Sequence, residues 1–230
     1  MALLERWHAL QEELGSADVK LLAVSKYAPD EAVQALIDVG QTCFGESRAQ
    51  NLRDRARQWP ECEWHMIGPV QKNKAKYIGR YASMWHSCDN LETAEAVARF
   101  VREKAVAEGV TAERSALPVL IQVNIADVPN QRGIQPAALP AFVAAVTQIE
   151  GLKLIGLMCM APQGGDAAAA FRYLSDLRDA LSDGSLAGTA PVELCIGMSG
   201  DYQIAVAEGS TMVRLGSTLF GDWDVRNQES

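Results

Sequence analysis

The sequence predicts an α/β fold: a single (β/α)8 TIM barrel spanning residues 1–230, and three observations predict it. Apolar, strand-like runs alternate with amphipathic or alanine-rich helical stretches along the whole chain, about eight times, which is the number of strands that closes a parallel barrel. The length of 230 residues and a hydrophobic content of 48% match one such barrel and leave little room for a second domain. Polar or glycine residues stand at the carboxyl ends of most of the runs, where α/β proteins place their chemistry. An open doubly wound sheet shares the same alternation. The absence of G-x-G-x-x-G after the first strand counts against its dinucleotide-binding version.

Residues 1–14 (MALLERWHALQEEL) have the spacing of an amphipathic helix without the continuous apolar core of a secretory leader. Strands are expected near 21–25, 42–45, 63–67, 83–87, 119–125, 153–158, 193–197 and 212–215. Helices are expected near 30–39, 47–59, 72–81, 91–108, 136–149, 166–181 and 201–208. Short connections between parallel strands imply right-handed crossovers. The stretches 164–170 and 183–190, rich in Gly, Ala and Asp, read as loops or helix ends.

A net charge of -8 argues against a nucleic-acid partner or an anionic membrane surface, and no run approaches membrane-spanning length. The expected location is cytoplasmic. The five cysteines, Cys43, Cys62, Cys88, Cys159 and Cys195, show no C-x-x-C spacing, so neither a disulfide framework nor a zinc motif is suggested. Four of them lie in apolar runs and read as small buried hydrophobes. Only three histidines are present, His8, His65 and His86, too few for a multi-histidine metal centre.

The first strand, Leu21-Leu22-Ala23-Val24-Ser25, delivers Lys26 to its carboxyl end, and Pro29 and Asp30 then start a helix. An amine partly desolvated there is a candidate to form a Schiff base with a carbonyl compound. The other strands would bring Glu46 with Ser47, His65 with Gly68, Ser87 with Asp89, Asn124, Met158, Ser199, and Gly216 with Ser217 to the same mouth. After strand seven, Gly197-Met198-Ser199-Gly200-Asp201 opens a helix with Ser199 as the expected N-cap. The segment from Gly209 to Thr218 (GSTMVRLGST) then delivers a second glycine–hydroxyl turn after strand eight. Barrels hold phosphate in these two loops. Read locally, His65 is a satisfied core histidine, and Lys72, Lys74 and Lys76 form a solvated helix face that could draw an anion towards the mouth.

Assembled, these stretches resemble the pyridoxal 5'-phosphate (PLP) homeostasis proteins of the YggS/PROSC type. The matching segments are Ala23-Val24-Ser25-Lys26, Phe44-Gly45-Glu46, Trp64-His65-Met66-Ile67-Gly68 with Gln71-Lys72-Asn73-Lys74, Gly156-Leu157-Met158, Gly197-Met198-Ser199 with Asp201, and Gly209 to Gly216 (GSTMVRLG). The resemblance implies a barrel like the amino-terminal domain of alanine racemase (PLP fold type III), with the cofactor aldehyde held as an imine on Lys26. It further implies cofactor contacts from Ser47, His65, Asn124, Met158, Ser199, Arg214, Gly216 and Ser217. Of these, Ser199, Gly216 and Ser217 would surround the phosphate, and Arg214 would face the pyridine nitrogen. Ser47 stands where the family usually has asparagine and Ser217 where threonine is common. The family's Ser-Lys-x-Gly appears as Asn130-Gln131-Arg132-Gly133, so the role of its lysine does not pass to Gln131.

The resemblance implies a monomeric, cytosolic protein that binds PLP and carries or buffers it for PLP-dependent apoenzymes, with no turnover of its own. The enzyme alternative is a PLP-dependent amino-acid racemase of the alanine racemase type. That would need a second β domain and a tyrosine from a partner subunit, whereas the sequence ends at Ser230, just after the barrel. A Schiff-base aldolase on a phosphate-binding barrel would share Lys26 and the phosphate turns but would be colourless when purified.

Overall fold

A computed structural model describes residues 2–111, 113–125, 132–162, 164–183 and 193–221. Eight strands, β1 (Lys20–Val24), β2 (Cys43–Glu46), β3 (Glu63–Met66), β4 (Met84–Cys88), β5 (Leu117–Gln122), β6 (Leu152–Met158), β7 (Glu193–Met198) and β8 (Met212–Leu215), pair in sequence order and close into a barrel. Closure comes from β1 lying parallel to β8, with Lys20 opposite Met212 and Ala23 opposite Leu215. This pairing excludes the open sheet.

The helices are α1 (Leu3–Gly15), α2 (Asp30–Asp38), α3 (Ala49–Gln58), α4 (Ala75–Tyr81), α5 (Leu91–Glu108), α6 (Leu139–Val146), α7 (Ala167–Asp183), α8 (Tyr202–Ala207) and α9 (Ser217–Phe220). Two of the expected helices begin as separate 3₁₀ turns, Lys72–Lys74 before α4 and Pro136–Ala138 before α6. In the second case Pro140 lies in the first turn of α6, where its missing N–H is tolerated, so a new helix starts there. Helix α9 was not expected; four residues are too few to show a period. It buries Leu219 and Phe220, and Arg6 of α1 donates to both of their carbonyls (2.6 and 3.0 Å). Strand β5 stops at Gln122, short of the expected 125, because Val123 leaves the ladder to bridge Ile134.

Period-two alternation sorts the strand residues into two apolar layers. Leu22, Leu120, Met158, Cys195 and Met212 pack inside the barrel. Phe44, Trp64, Met66, Val119, Leu157 and Val213 belong to the outer cluster, with helix residues such as Val33, Leu36, Leu52, Ile78, Val97 and Phe171. Trp64 stacks on Phe44 with ring centroids 5.0 Å apart. Among the described residues, no helix is long and apolar enough to cross a membrane. Residues 184–190, within one expected loop, and Asn130 and Gln131 lie outside the described residues.

Gly156 pairs with Glu193 across the β6–β7 ladder, and a Cβ at Gly156 would lie 1.9 Å from the Glu193 carbonyl oxygen. Backbone cannot yield there without breaking the pairing. Gly156→Ala should therefore destabilise the fold by roughly 1–3 kcal/mol or more in urea denaturation. Gly15→Ala, with open space around its new methyl group, should be neutral or stabilising by up to about 1 kcal/mol. Equal midpoints for the two variants would contradict this account.

Candidate functional site

Because all strands run parallel, their carboxyl ends surround one mouth, and a cleft opens there. One lobe, of about 390 Å³, is lined by Lys26, Ser47, Ile67, Gly68, Pro69, Gln122, Arg132, Met158, Met160, Met198 and Arg214. A second, of about 270 Å³, is lined by Val24, Lys26, Ile67, Met198, Ser199, Gly200, Arg214, Gly216 and Ser217. The shared residues Lys26, Ile67, Met198 and Arg214 make the lobes continuous.

Lys26 follows β1 in a turn closed by Ala28 N–H donating to the Ser25 carbonyl (2.9 Å). Its Nζ stands 4.9 Å from the centre of the Tyr27 ring. Beneath it, Ser25 Oγ donates to Glu46 Oε1 (2.7 Å), and Arg55 Nε approaches the same oxygen at 3.9 Å. Burial pushes the Glu46 carboxyl above its ordinary pKa, against the opposing pull of Ser25, Arg55 and Lys26.

Arg214 is 5% exposed. Its Nη1 donates to the Cys195 carbonyl (2.7 Å) and its Nη2 to the Cys159 carbonyl (2.8 Å), so backbone acceptors in β7 and just after β6 fix the guanidinium. No carboxylate pairs with it among the described residues. Opposite, Gly68 lies against the Ser47 backbone so closely that a Cβ would sit 2.1 Å from the Ser47 carbonyl oxygen. Ser87 Oγ donates to the Gly68 carbonyl (2.6 Å) and holds that turn in place.

The loops after β7 and β8 are stapled together. Thr218 N–H donates to Ser199 Oγ (3.1 Å), and Thr218 Oγ1 donates to the Ser199 carbonyl (3.2 Å). Ser199 is thus not the N-cap of α8. Asp201 occupies that position, and its Oδ1 accepts from Met198 N–H (2.6 Å).

Of the predicted site residues, the structure brings Lys26, Ser47, Met158, Ser199, Arg214, Gly216 and Ser217 to the cleft. It does not bring His65 there. The His65 ring points towards the opposite end of the barrel, where Nδ1 lies 2.9 Å from His86 Nε2 and Nε2 lies 3.5 Å from Cys43 Sγ. Burial holds both imidazoles below their ordinary pKa, although Glu63 pulls His65 the other way. Asn124 is buried after β5, outside the lining of the cleft, and its N–H donates to the Ile134 carbonyl (2.9 Å). Lys72 pairs with Glu92 on the surface. Sequence reasoning missed Gln122 and Arg132 as lining residues. Gln122 carried a signal, a polar side chain ending an apolar strand, and its Nε2 donates to the Arg132 carbonyl (3.2 Å). Arg132 lies 3.6 Å from Asp89, whose carboxyl burial pushes upward in pKa despite that cation.

The family model described as alanine racemase, N-terminal domain, matches residues 1–224. The pyridoxal phosphate homeostasis protein of Escherichia coli K12 is 35% identical over 212 residues, covering 90% of this chain and 87% of that protein. Its counterpart in Aquifex aeolicus is 31% identical, covering 96% and 95%. Among solved structures, PipY of Synechococcus elongatus without PLP superposes with a TM-score of 0.83 at 32% identity, covering 96% of this chain and all of that one. PipY with PLP bound gives 0.79 at 31% identity, covering the same shares. Alanine racemase of Clostridium difficile shares the fold at 17% identity and TM-score 0.69, covering 95% of this chain and 55% of that one. An eight-stranded barrel with a lysine-bearing mouth, matched over nearly its whole length by these relatives, places the chain in the pyridoxal phosphate homeostasis protein family.

Proposed function

We propose that the chain is a monomeric, cytoplasmic PLP-binding protein that holds the cofactor on Lys26 and carries or buffers it for PLP-dependent apoenzymes without turning over a substrate. The observation that carries this reading is the shared cleft, whose lining brings together one lysine, a fixed guanidinium and the hydroxyl turns after β7 and β8. Its residues fit the group. A dianionic phosphate needs hydroxyl and N–H donors, a flat ring needs a slot with apolar walls, and an aldehyde needs an amine.

When bound, PLP supplies an aldehyde that captures amines reversibly. Lys26 would be the amine placed to hold that aldehyde. Ser199 and Ser217 line the same lobe as Gly216 and would offer hydroxyls to the phosphate. Ile67, Met158 and Met198 wall the ring slot. Arg214 can only donate hydrogen bonds, so a pyridine nitrogen facing it would have to be unprotonated, which makes the ring a poor electron sink. Among the described lining residues Lys26 supplies the amine, with the Tyr27 ring 4.9 Å from its Nζ and the Glu46 carboxyl beneath it.

Borohydride reduction followed by peptide mapping should place a pyridoxyl group on Lys26, and Lys26→Ala should abolish the absorption of the imine. Label found only on Lys72 or Lys74 would overturn the assignment.

Gly216→Asp puts a carboxylate where the dianion would rest. Calorimetry should show PLP weakened far more than unphosphorylated pyridoxal. Equal weakening would remove the phosphate from this turn.

Deuterium incorporation at the α-carbon of alanine should stay far below ordinary enzyme rates of about 1–10³ s⁻¹. Exchange within that range would make the protein a racemase.

A further inference from the structure

The end of the barrel opposite the mouth carries a second constellation. A cavity of about 420 Å³ opens there between the amino-terminal ends of β1 to β4 and β8, and Lys20, Gln41, Cys43, Glu63, His65 and Met84 are among its lining residues. Cys43 Sγ, a Glu63 carboxylate oxygen and a His65 ring nitrogen all lie within 4.8 Å of one another. We propose that Cys43, Glu63 and His65 bind a divalent transition-metal cation of the zinc class, with the fourth coordination position open to the cavity.

Geometry carries the proposal. A tetrahedral zinc ion, with bonds of about 2.3 Å to sulfur and about 2.0–2.2 Å to nitrogen and oxygen, spaces its ligand atoms about 3.3–3.6 Å apart. Here Cys43 Sγ is 3.5 Å from His65 Nε2, and His65 Nε2 is 3.6 Å from Glu63 Oε2; the third pair, Cys43 with Glu63, lies within 4.8 Å, and rotation of the 64% exposed Glu63 side chain would close it on a bound ion. The spacing arises from the sheet. Cys43 and Glu63 are register partners on adjacent parallel strands, and His65, two residues beyond Glu63, shares its inward face. A thiolate, an imidazole and a carboxylate together make a zinc-type donor set rather than one for calcium or magnesium.

The layer behind the ligands has the form that metal sites use. His65 Nδ1 lies 2.9 Å from His86 Nε2, which is fully buried. If His65 Nδ1–H donates to His86 Nε2, the lone pair of His65 Nε2 is directed at the cation, which fixes the tautomer a ligand requires. His86 Nδ1 then carries the remaining proton, and it is a buried atom without a partner among the described residues. Metal binding converts the Cys43 thiol to a metal-bound thiolate and releases one proton to solvent. Burial, and then the Glu63 carboxylate, push the Cys43 thiol well above its ordinary pKa, and Lys20 at the same site offsets this only in part, so without a metal the thiol keeps the proton that the cation must displace.

The test is a cobalt titration of the full-length protein after chelator treatment and desalting. One Co²⁺ per chain should produce ligand-field bands in the visible and sulfur-to-cobalt charge transfer in the near ultraviolet, and Zn²⁺ should displace both. Cys43→Ser should abolish the charge-transfer band, whereas Cys62→Ser, in the outer core, should keep it. Glu63→Gln alters a side chain that is 64% exposed, so it should fold normally, and Zn²⁺ should bind it at least about 10-fold more weakly. His86→Asn should weaken Zn²⁺ by about 10–100-fold while leaving the charge-transfer band in place. The proposal fails if no stoichiometric complex forms, if the band survives Cys43→Ser, or if Glu63→Gln binds Zn²⁺ like the parent. Should Cys43→Ser fail to fold by circular dichroism, the Glu63→Gln affinity alone decides.

Discussion

The pairing of β1 with β8 is the contact on which the rest of the molecule depends. Leu21 lies opposite Val213 and Leu22 opposite Arg214, joining segments about 190 residues apart. Without this seam Lys26 and the Gly216-Ser217 turn would stand at opposite edges of an open sheet. With it they line one cleft. Long-range parallel pairing is entropically costly to form, so apolar burial on both faces of each strand has to hold it. The inner layer around Leu22 and Met212 and the outer layer around Val213 and Phe220 meet that demand.

Much of the architecture was legible because the barrel repeats one simple unit. Each apolar run followed by an amphipathic stretch identifies a strand and its covering helix, and the polar residue ending each strand identifies the mouth. Lys26 could be singled out because its position at the end of β1 depends on local sequence alone. Features set by contacts between distant segments were not legible. Ser199 and Asp201 are both good capping residues two positions apart, and only the hydrogen bonds from Thr218 and Met198 show which does what. His65 was misplaced for a different reason. Alternation correctly turns it inwards, but its depth along the barrel axis depends on the register between β2 and β3, which residue types do not encode. The meeting of Cys43 with Glu63 and His65 follows from that same register.

The interior also shows how a barrel tolerates polar groups. Ser25, Glu46, His65, His86, Gln122 and Arg214 are all buried. Burying such groups is costly unless they find partners. Most find them locally: Ser25 with Glu46, His65 with His86, Gln122 with a carbonyl, and Arg214 with two carbonyls. The strand carbonyls that Arg214 takes belong to Cys195 and Cys159, whose thiols burial pushes upward in pKa, to about 12 for Cys159. The upward shifts favour the neutral thiols, and the carbonyls that hold the guanidinium carry no formal charge.

That placement makes the barrel a stoppered pipe. Arg214 crosses the interior with its charge permanent, and its field reaches His86, where it adds to the effect of burial. Beside it, Leu22, Leu120, Cys195 and Met212 form an apolar layer. A fixed guanidinium above an apolar constriction is the arrangement with which pores block cations and protons. A cation entering from the mouth therefore meets a permanent positive charge before it meets the buried histidine pair.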